Sequence, residues 1–470
     1  MTPLSEKIGR LCALRNRGVK FGIDRMRLLA DALNNPQNAF PCAHVAGTNG
    51  KGSTCAMLES IFRALGFRRV GLYTSPHLVK LGERIQVNRV PMNEEEICNE
   101  ADKIFAVAAR FGNPGDVDYP SFFEVMTAMA FRRYAQEKCD AVVLEVGLGG
   151  RLDATNIVTP RVSAISSIGF DHTEILGSTL TQIAREKAGI IKPNVPVALG
   201  FLPDEAETEI RKIARERGAP VFCVRDFFPN KNSLPKTNLA GAHQQKNAAL
   251  ALLTAKIFID GAASPAPREN KNSDASDADG NAKIFDVPAE KTASQSEKIF
   301  DETAARKALL NVVWRARWEK IRLDDGRELV VDVTHNEEGA RVADAALSAL
   351  FSETGKRPRI VTGVLGMDRA RPLIRVFAKH ARELIFVRPA QDRACSFAEL
   401  ESCVPADFSG TWREARVEEL FPEKNRCAIA TPDGEPLVVI GSCYLAGEVL
   451  AALAGTHTDS ALQDNLGSRR

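Results

Sequence analysis

The chain has 470 residues, too many for one ordinary domain, so two domains are the default expectation. Hydrophobic content of 44% and charged content of 26% fit a soluble globular protein, and 62 basic against 60 acidic side chains leave +2, which gives no electrostatic case for a nucleic-acid or membrane partner. No apolar run approaches a membrane span, the start Met1-Thr2-Pro3-Leu4-Ser5 lacks the apolar core of a secretion signal, and the ten cysteines include no Cys-x-x-Cys pair. A cytoplasmic protein with buried thiols, no disulfides and no structural zinc is expected.

Residues 1–43 read as helical and mixed, with Phe21–Leu29 ahead of the breaker Asn34-Asn35-Pro36. That stretch is too short for a domain of its own. His44–Thr54 follows on a short apolar run and leads into helical periodicity from Cys55. It holds three glycines, three hydroxyls and Lys51. Glycines let backbone amides approach an anion, a helix N-terminus adds positive dipole, and Lys51 adds a full charge, so the stretch reads as a phosphate cradle. Ser53 or Thr54 can offer an oxygen to Mg²⁺. The stretch departs from G-x-x-x-x-G-K-[ST] twice, with Val45 for the first glycine and Gly52 between the lysine and the hydroxyl.

Arg69–Tyr73 is a second strand running into Thr74-Ser75-Pro76-His77-Leu78, at the edge where α/β sheets place ligands. Ser75 reads as a magnesium ligand or as a helix cap. Glu83–Val87 alternates polar and apolar, Asn93 caps a helix, and 122–135 form another. Asp140–Val146 is a buried strand carrying Glu145 at its end, followed by Gly147–Asn156. A glutamate in an apolar strand is costly unless paired or metal-bound; the alternative is a solvent-facing strand end. Mg²⁺ is the economical partner beside a phosphate. Val162–Ile168 leads to Gly169-Phe170-Asp171-His172-Thr173, and Thr179–Pro193 reads as a helix carrying Glu186 and Lys187. Taken singly, Asp171-His172 reads as structural and Lys187 as a solvated helix lysine. With strands at 196–200 and 220–224, the alternation predicts a mostly parallel, doubly wound sheet.

Leu239–Leu253 is a helix bearing His243, Gln244 and Asn247, and 262–302 has the composition of an exposed or disordered insertion. Order resumes near Ala304. Trp314–Glu319 precedes a strand pair turning at Asp324-Asp325-Gly326, and the next strand ends in Asp332, His335 and Asn336. A helix is predicted over 340–350 and strands over 358–364 and 436–442, with Gly447-Glu448 opening the last helix. The expected organisation is a domain over 1–303, a smaller βα domain over 304–455, and a polar tail over 456–470.

Taken together, these motifs resemble the folylpolyglutamate synthase/dihydrofolate synthase family, a branch of the Mur ligases. The segments are Gly47–Ser53, Tyr73–Leu78, Glu83-Arg84-Ile85, Glu145–Asn156, Asp171-His172-Thr173, Glu186–Ile190, His243-Gln244 with Asn247, Arg317, Asp332 with His335-Asn336, and Gly441-Ser442 with Tyr444 and Gly447-Glu448. The resemblance implies a Mur-ligase-like P-loop ATPase domain plus a smaller Rossmann-like α/β domain. It implies ATP-dependent joining of L-glutamate to dihydropteroate, to a folate, or to both, through an acyl phosphate. The nucleotide set it implies is Gly47, Thr48, Asn49, Gly50, Lys51, Gly52, Ser53, Thr54, Asn247, Arg317 and Asp332. Ser75 and Glu145 would hold one Mg²⁺ and His172 a second, and Lys187 matches the family's carbamylated lysine. Asp332 and His335 would come from the second domain, leaving ATP between domains. Lys51, Lys187, Asp332 and His335 are the implied catalytic groups, in a monomer with small-molecule substrates.

The sequence departs from the family at Val333-Thr334, at Glu337 after Asn336, at Arg315, and over Gly363–Ala370, which lacks the usual Asp-Lys-Asp run. Two alternatives predict other outcomes. A UDP-muropeptide ligase carries a UDP-binding domain ahead of the loop, whereas about 45 residues precede Gly47 here. A homologue without ligase activity would bind ATP and release no acceptor-dependent ADP.

Overall fold

The computed structural model describes residues 9–11, 13–14, 22–261 and 299–459. Two sheets organise it. The first has eight strands: β1 (Cys42–Ala46), β2 (Val70–Tyr73), β3 (Ile85–Val87), β4 (Val90–Pro91), β5 (Ala141–Glu145), β6 (Val162–Ile165), β7 (Val197–Leu199) and β8 (Val221–Cys223). Their order is β4-β3-β2-β5-β1-β6-β7-β8, parallel except for the β2–β3–β4 meander. The second has six strands: β9 (Glu319–Arg322), β10 (Glu328–Val331), β11 (Arg359–Thr362), β12 (Glu383–Phe386), β13 (Thr411–Glu414) and β14 (Leu437–Val439). Their order is β13-β12-β11-β14-β10-β9, with β9 alone antiparallel. This is the two-domain, mostly parallel α/β architecture expected.

β1 and β5 are buried along their whole length, because helices cover both faces of a parallel sheet. On one face the helices Lys51–Ala64 and Ala242–Asp260 share a core with Val45, Val143 and Ala164. On the other, Asp24–Ala32, Glu94–Ala108 and Phe122–Gln136 pack on Cys42, Val142 and Leu144. In the second sheet, Cys443–Ala454 covers one face, and Glu337–Thr354 and Met367–His380 cover the other. Both sheets turn the carboxyl ends of their parallel strands to one cleft, where open α/β sheets bind ligands.

Local chemistry moves several predicted boundaries. The last helix begins at Cys443 rather than Gly447, because Ser442 caps it by accepting from the Leu445 amide. The helix predicted over 340–350 runs from Glu337 to Thr354, capped by the Asn336 side chain and stopped by left-handed Gly355. The alternation at Glu83–Val87 starts as a 3₁₀ turn, Leu81–Arg84, whose Glu83 carboxylate accepts from the amides of Leu78, Val79 and Lys80. The helix predicted to reach Pro193 is Leu180–Ala188. Most of the 262–302 insertion and residues 460–470 of the tail lie outside the described residues. Description resumes at Ile299, with Phe300 packed on the first core and a helix from Glu302. No helix among the described residues is long and apolar enough to cross a membrane.

Candidate active site

A cavity of about 450 Å³ lies where the two sheets meet, and residues 47–53 form its floor. The loop is shaped by close approach. Gly50 holds φ +81°, and a Cβ there would stand 2.4 Å from Asn247 Oδ1; a Cβ on Gly47 would stand 2.0 Å from Ser166 Oγ. Gly52, the residue that breaks the usual motif, has an equally direct cause. Its missing side chain leaves room for the Trp314 ring, 2.7 Å from the Cβ position, and for Glu145 Oε2 at 3.5 Å.

Lys51 opens the helix and curls back, donating to the carbonyls of Gly47 and Thr48 at 3.0 Å each. Lys187 donates to the same Gly47 carbonyl at 2.9 Å. Burial first, and the neighbouring Lys51 charge second, lower Lys187 from 10.5 to about 7, against the pull of Asp171 and Asp153. A buried lysine that readily gives up its proton replaces the solvated one expected from its helix alone.

Glu145 sits at the end of β5, 4% exposed, with Oε2 accepting from the Ser75 amide at 3.1 Å. Burial raises its carboxyl from 4.5 to about 7, although Lys51, the Ser75 amide and Arg317 oppose the rise. A desolvated carboxylate facing a phosphate cradle fits a divalent cation. Among the described residues no group of three or more His, Cys, Asp or Glu could hold a metal unaided. The Glu145 carboxylate and Ser75 line the same cavity, and one carboxylate beside a place for phosphate oxygens is the chemistry that suits Mg²⁺.

The second domain closes the cavity. Asp332, past the end of β10, accepts from the Trp318 amide at 2.8 Å and from both the amide and the hydroxyl of Thr334. Thr334, one of the departures, thus orients the aspartate. His335 Nδ1 donates to the Val333 carbonyl at 2.9 Å, so Nε2 is its unprotonated nitrogen, and burial lowers its pKa. Burial likewise depresses Arg317, with Asp332 and Glu145 opposing. His172 adopts a left-handed φ of 50°, and burial lowers it to about 4 against the pull of Asp171.

The cavity lining brings together Gly47, Thr48, Asn49, Gly50, Lys51, Gly52, Ser53, Ser75, Glu145, His172, Lys187, Asn247, Arg317, Asp332 and His335. Thr54 is the exception: it is fully buried and does not line the cavity, so Ser53 is the hydroxyl that faces it. Sequence reasoning missed the contacts between the domains. Arg369 pairs with Asp171 at 2.7 Å, and Asn336 donates to Asn49 Oδ1 at 3.0 Å and to Asp171 at 3.4 Å. Asn49 in turn donates to Glu338. Burial opposes the charge on Asp171, yet His172, Arg369 and His335 hold its carboxyl well below the usual range. Arg369 occupies the variant Gly363–Ala370 stretch, and no local signal in that stretch marks it.

A glycine-floored phosphate loop, a buried carboxylate and basic groups from a second α/β domain define an ATP-dependent ligase of the Mur type. The family model of the Mur ligase middle domain matches residues 45–224. The dihydrofolate synthase/folylpolyglutamate synthase of Bacillus subtilis is 34% identical over 370 residues, 73% of this chain and 77% of that protein. The folylpolyglutamate synthase of Lacticaseibacillus casei is 31% identical over 92% of this chain and 94% of its own. The bifunctional enzyme of Yersinia pestis, solved with AMPPNP and a manganese ion, superposes with a TM-score of 0.72 at 27% identity, covering 96% of this chain and 98% of its own. The chain belongs to the folylpolyglutamate synthase/dihydrofolate synthase family.

Proposed function

We propose that this chain joins the amino group of L-glutamate to the carboxyl of dihydropteroate, of a folate, or of both, at the expense of ATP. The observation that carries the reading is the cavity in which Lys51, Glu145 and Lys187 converge under Arg317, Asp332 and His335. The relatives' names and the nucleotide analogue and manganese in the Yersinia pestis structure support it. Residues 1–303 would form the ATP-binding domain and 304–455 the ligase domain, in a cytoplasmic monomer.

The reaction brings a carboxylate against the γ-phosphate, so charge must be neutralised before two anions meet. Lys51 and the 47–53 amides would hold the β- and γ-phosphates, with Asn247, Arg317 and Asp332 on the rest of the nucleotide. Ser75 and Glu145 would hold Mg²⁺, which supplies charge neutralisation at the transferring phosphate when bound. His172, with Lys187 as its carbamate, would hold a second ion. Lys187 would first lose its ammonium proton, and the neutral amine would then add to CO₂ and release a second proton to leave a carbamate anion; its lowered pKa populates the neutral form near neutrality.

In the first step an oxygen of the acceptor carboxylate attacks the γ-phosphorus, the bond to the ADP oxygen breaks, and an acyl phosphate forms. The neutral glutamate amine then attacks the acyl carbon, and phosphate leaves with the acceptor's oxygen. The Arg369–Asp171 and Asn336–Asn49 contacts would keep the cleft shut against water while the acyl phosphate exists. Glutamate-dependent ADP release, measured with dihydropteroate, tetrahydrofolate and a UDP-muropeptide, tests the reading. Release with either pterin supports it, whereas release with the muropeptide alone, or with none, rejects it.

A further inference from the structure

The loop that leaves Ser75 belongs to the first domain by sequence, yet its far end is seated in the second. Leu78 and Val79 pack against the second-domain core to which Leu445, Ala446 and Val449 belong. The Leu78 carbonyl lies so close to the helix Cys443–Ala454 that a Cβ on Gly447 would stand 2.1 Å from it. Asp459 then grips the same loop. Its amide donates to the Val79 carbonyl at 2.7 Å, and its carbonyl accepts from His77 Nε2 at 3.1 Å. Its Oδ2 accepts from the Leu81 amide at 2.9 Å, while Lys80 Nζ reaches Oδ1 at 3.4 Å. The tautomer is consistent, because His77 Nδ1 accepts from Arg84 Nε at 2.9 Å. At the near end, the Ser75 amide donates to Glu145 at 3.1 Å.

A short segment pinned at both ends has few conformations left, so a displacement of one end is passed to the other. The near end touches the proposed metal carboxylate, and the far end moves with the second domain. The Lys80 pair is half-exposed and adds little; the amide held by the carboxylate is the charge-assisted anchor.

We propose that Asp459 is a positioning residue for Ser75, clasping the 77–81 loop to the second domain so that the seating of that domain sets where Ser75 stands beside Glu145. This rests on the reading of Ser75 as a metal ligand. Nothing in the 382-residue separation between His77 and Asp459 announces it.

Amide hydrogen exchange of the loop and a Mg²⁺ titration of turnover, both on the full chain, test the clasp. In Asp459→Ala the Leu81 amide is expected to exchange about tenfold faster, as an opened local contact does. The Mg²⁺ concentration for half-maximal rate is expected to rise roughly tenfold, the usual cost of losing a group that orients a ligand. Asp459→Asn keeps an acceptor for Leu81 and is expected to restore most of both. Parent-like exchange or a parent-like titration in Asp459→Ala overturns the clasp. Ser75→Ala separates the two layers. An unchanged Mg²⁺ titration there removes the ligand reading and this inference with it, whereas a shift in Ser75→Ala without one in Asp459→Ala removes the clasp alone.

Discussion

Glu145→Gln separates stability from function with a definite sign. Burial raises the carboxyl from 4.5 to about 7, so the folded protein holds this proton more tightly than the unfolded chain does. Stability of the metal-free parent is therefore lost as pH rises from the ordinary carboxylate range through about 7, and the loss is complete above it. At about 1.4 kcal/mol per tenfold change in proton affinity, the full loss is about 3 kcal/mol. Glutamine keeps the shape and cannot ionise. Without metal, the variant is expected to exceed the parent by less than about 1 kcal/mol at pH 5 and by about 3 kcal/mol at pH 8.5. In thermal melts the gap at the higher pH is about 5–10 °C for a domain of this size. With Mg²⁺ and a non-hydrolysable ATP analogue the order should reverse, because the ion binds the parent's folded state. Turnover of the variant should collapse. A variant no more stable than the parent at pH 8.5 without metal would refute the assignment of Glu145 as a desolvated carboxylate awaiting a cation.

Lys51→Ala removes the one full positive charge carried by the phosphate loop and is expected to cut kcat/KM for ATP by about 10²–10³ in steady-state assays. Gly52→Ala places a methyl 2.7 Å from the Trp314 ring, so the ring must shift; denaturant unfolding should show about 1–3 kcal/mol of lost stability, with a raised KM for ATP. Lys187, lowered from 10.5 to about 7, gains its neutral form as pH rises through about 7, so activity of CO₂-depleted enzyme should recover on adding bicarbonate, more fully at pH 8 than at pH 6. Lys187→Arg should give neither that recovery nor a carbamate resonance with ¹³C-bicarbonate. Arg369→Ala removes the guanidinium paired with Asp171 across the cleft, and small-angle scattering should report a more open chain, with kcat reduced more than the KM for ATP.

Legibility in the sequence followed the range of the interactions. The phosphate loop, the strand ending in Glu145 and the alternation of strands and helices are local patterns, each decided within about a dozen residues. Helix ends shifted where a single cap side chain, Ser442 or Asn336, outweighed the apolar pattern. Glu145 and Lys187 showed their chemical types but not their burial, which is settled only when β1, β5 and the helix Leu180–Ala188 pack together. The meaning of Gly52 was opaque because the ring that requires it belongs to Trp314, far along the chain. The same holds for Arg369 with Asp171, 198 residues apart, and for Asn336 with Asn49, 287 apart. Such contacts across a cleft have no periodicity to betray them.

The central claim is that the acceptor's carboxyl is activated by direct phosphorylation in the cavity between the two sheets. An acceptor labelled with ¹⁸O in that carboxyl, turned over with ATP and glutamate, tests it most directly. The account predicts one labelled oxygen in each phosphate released. Amide product accompanied by unlabelled phosphate would contradict it.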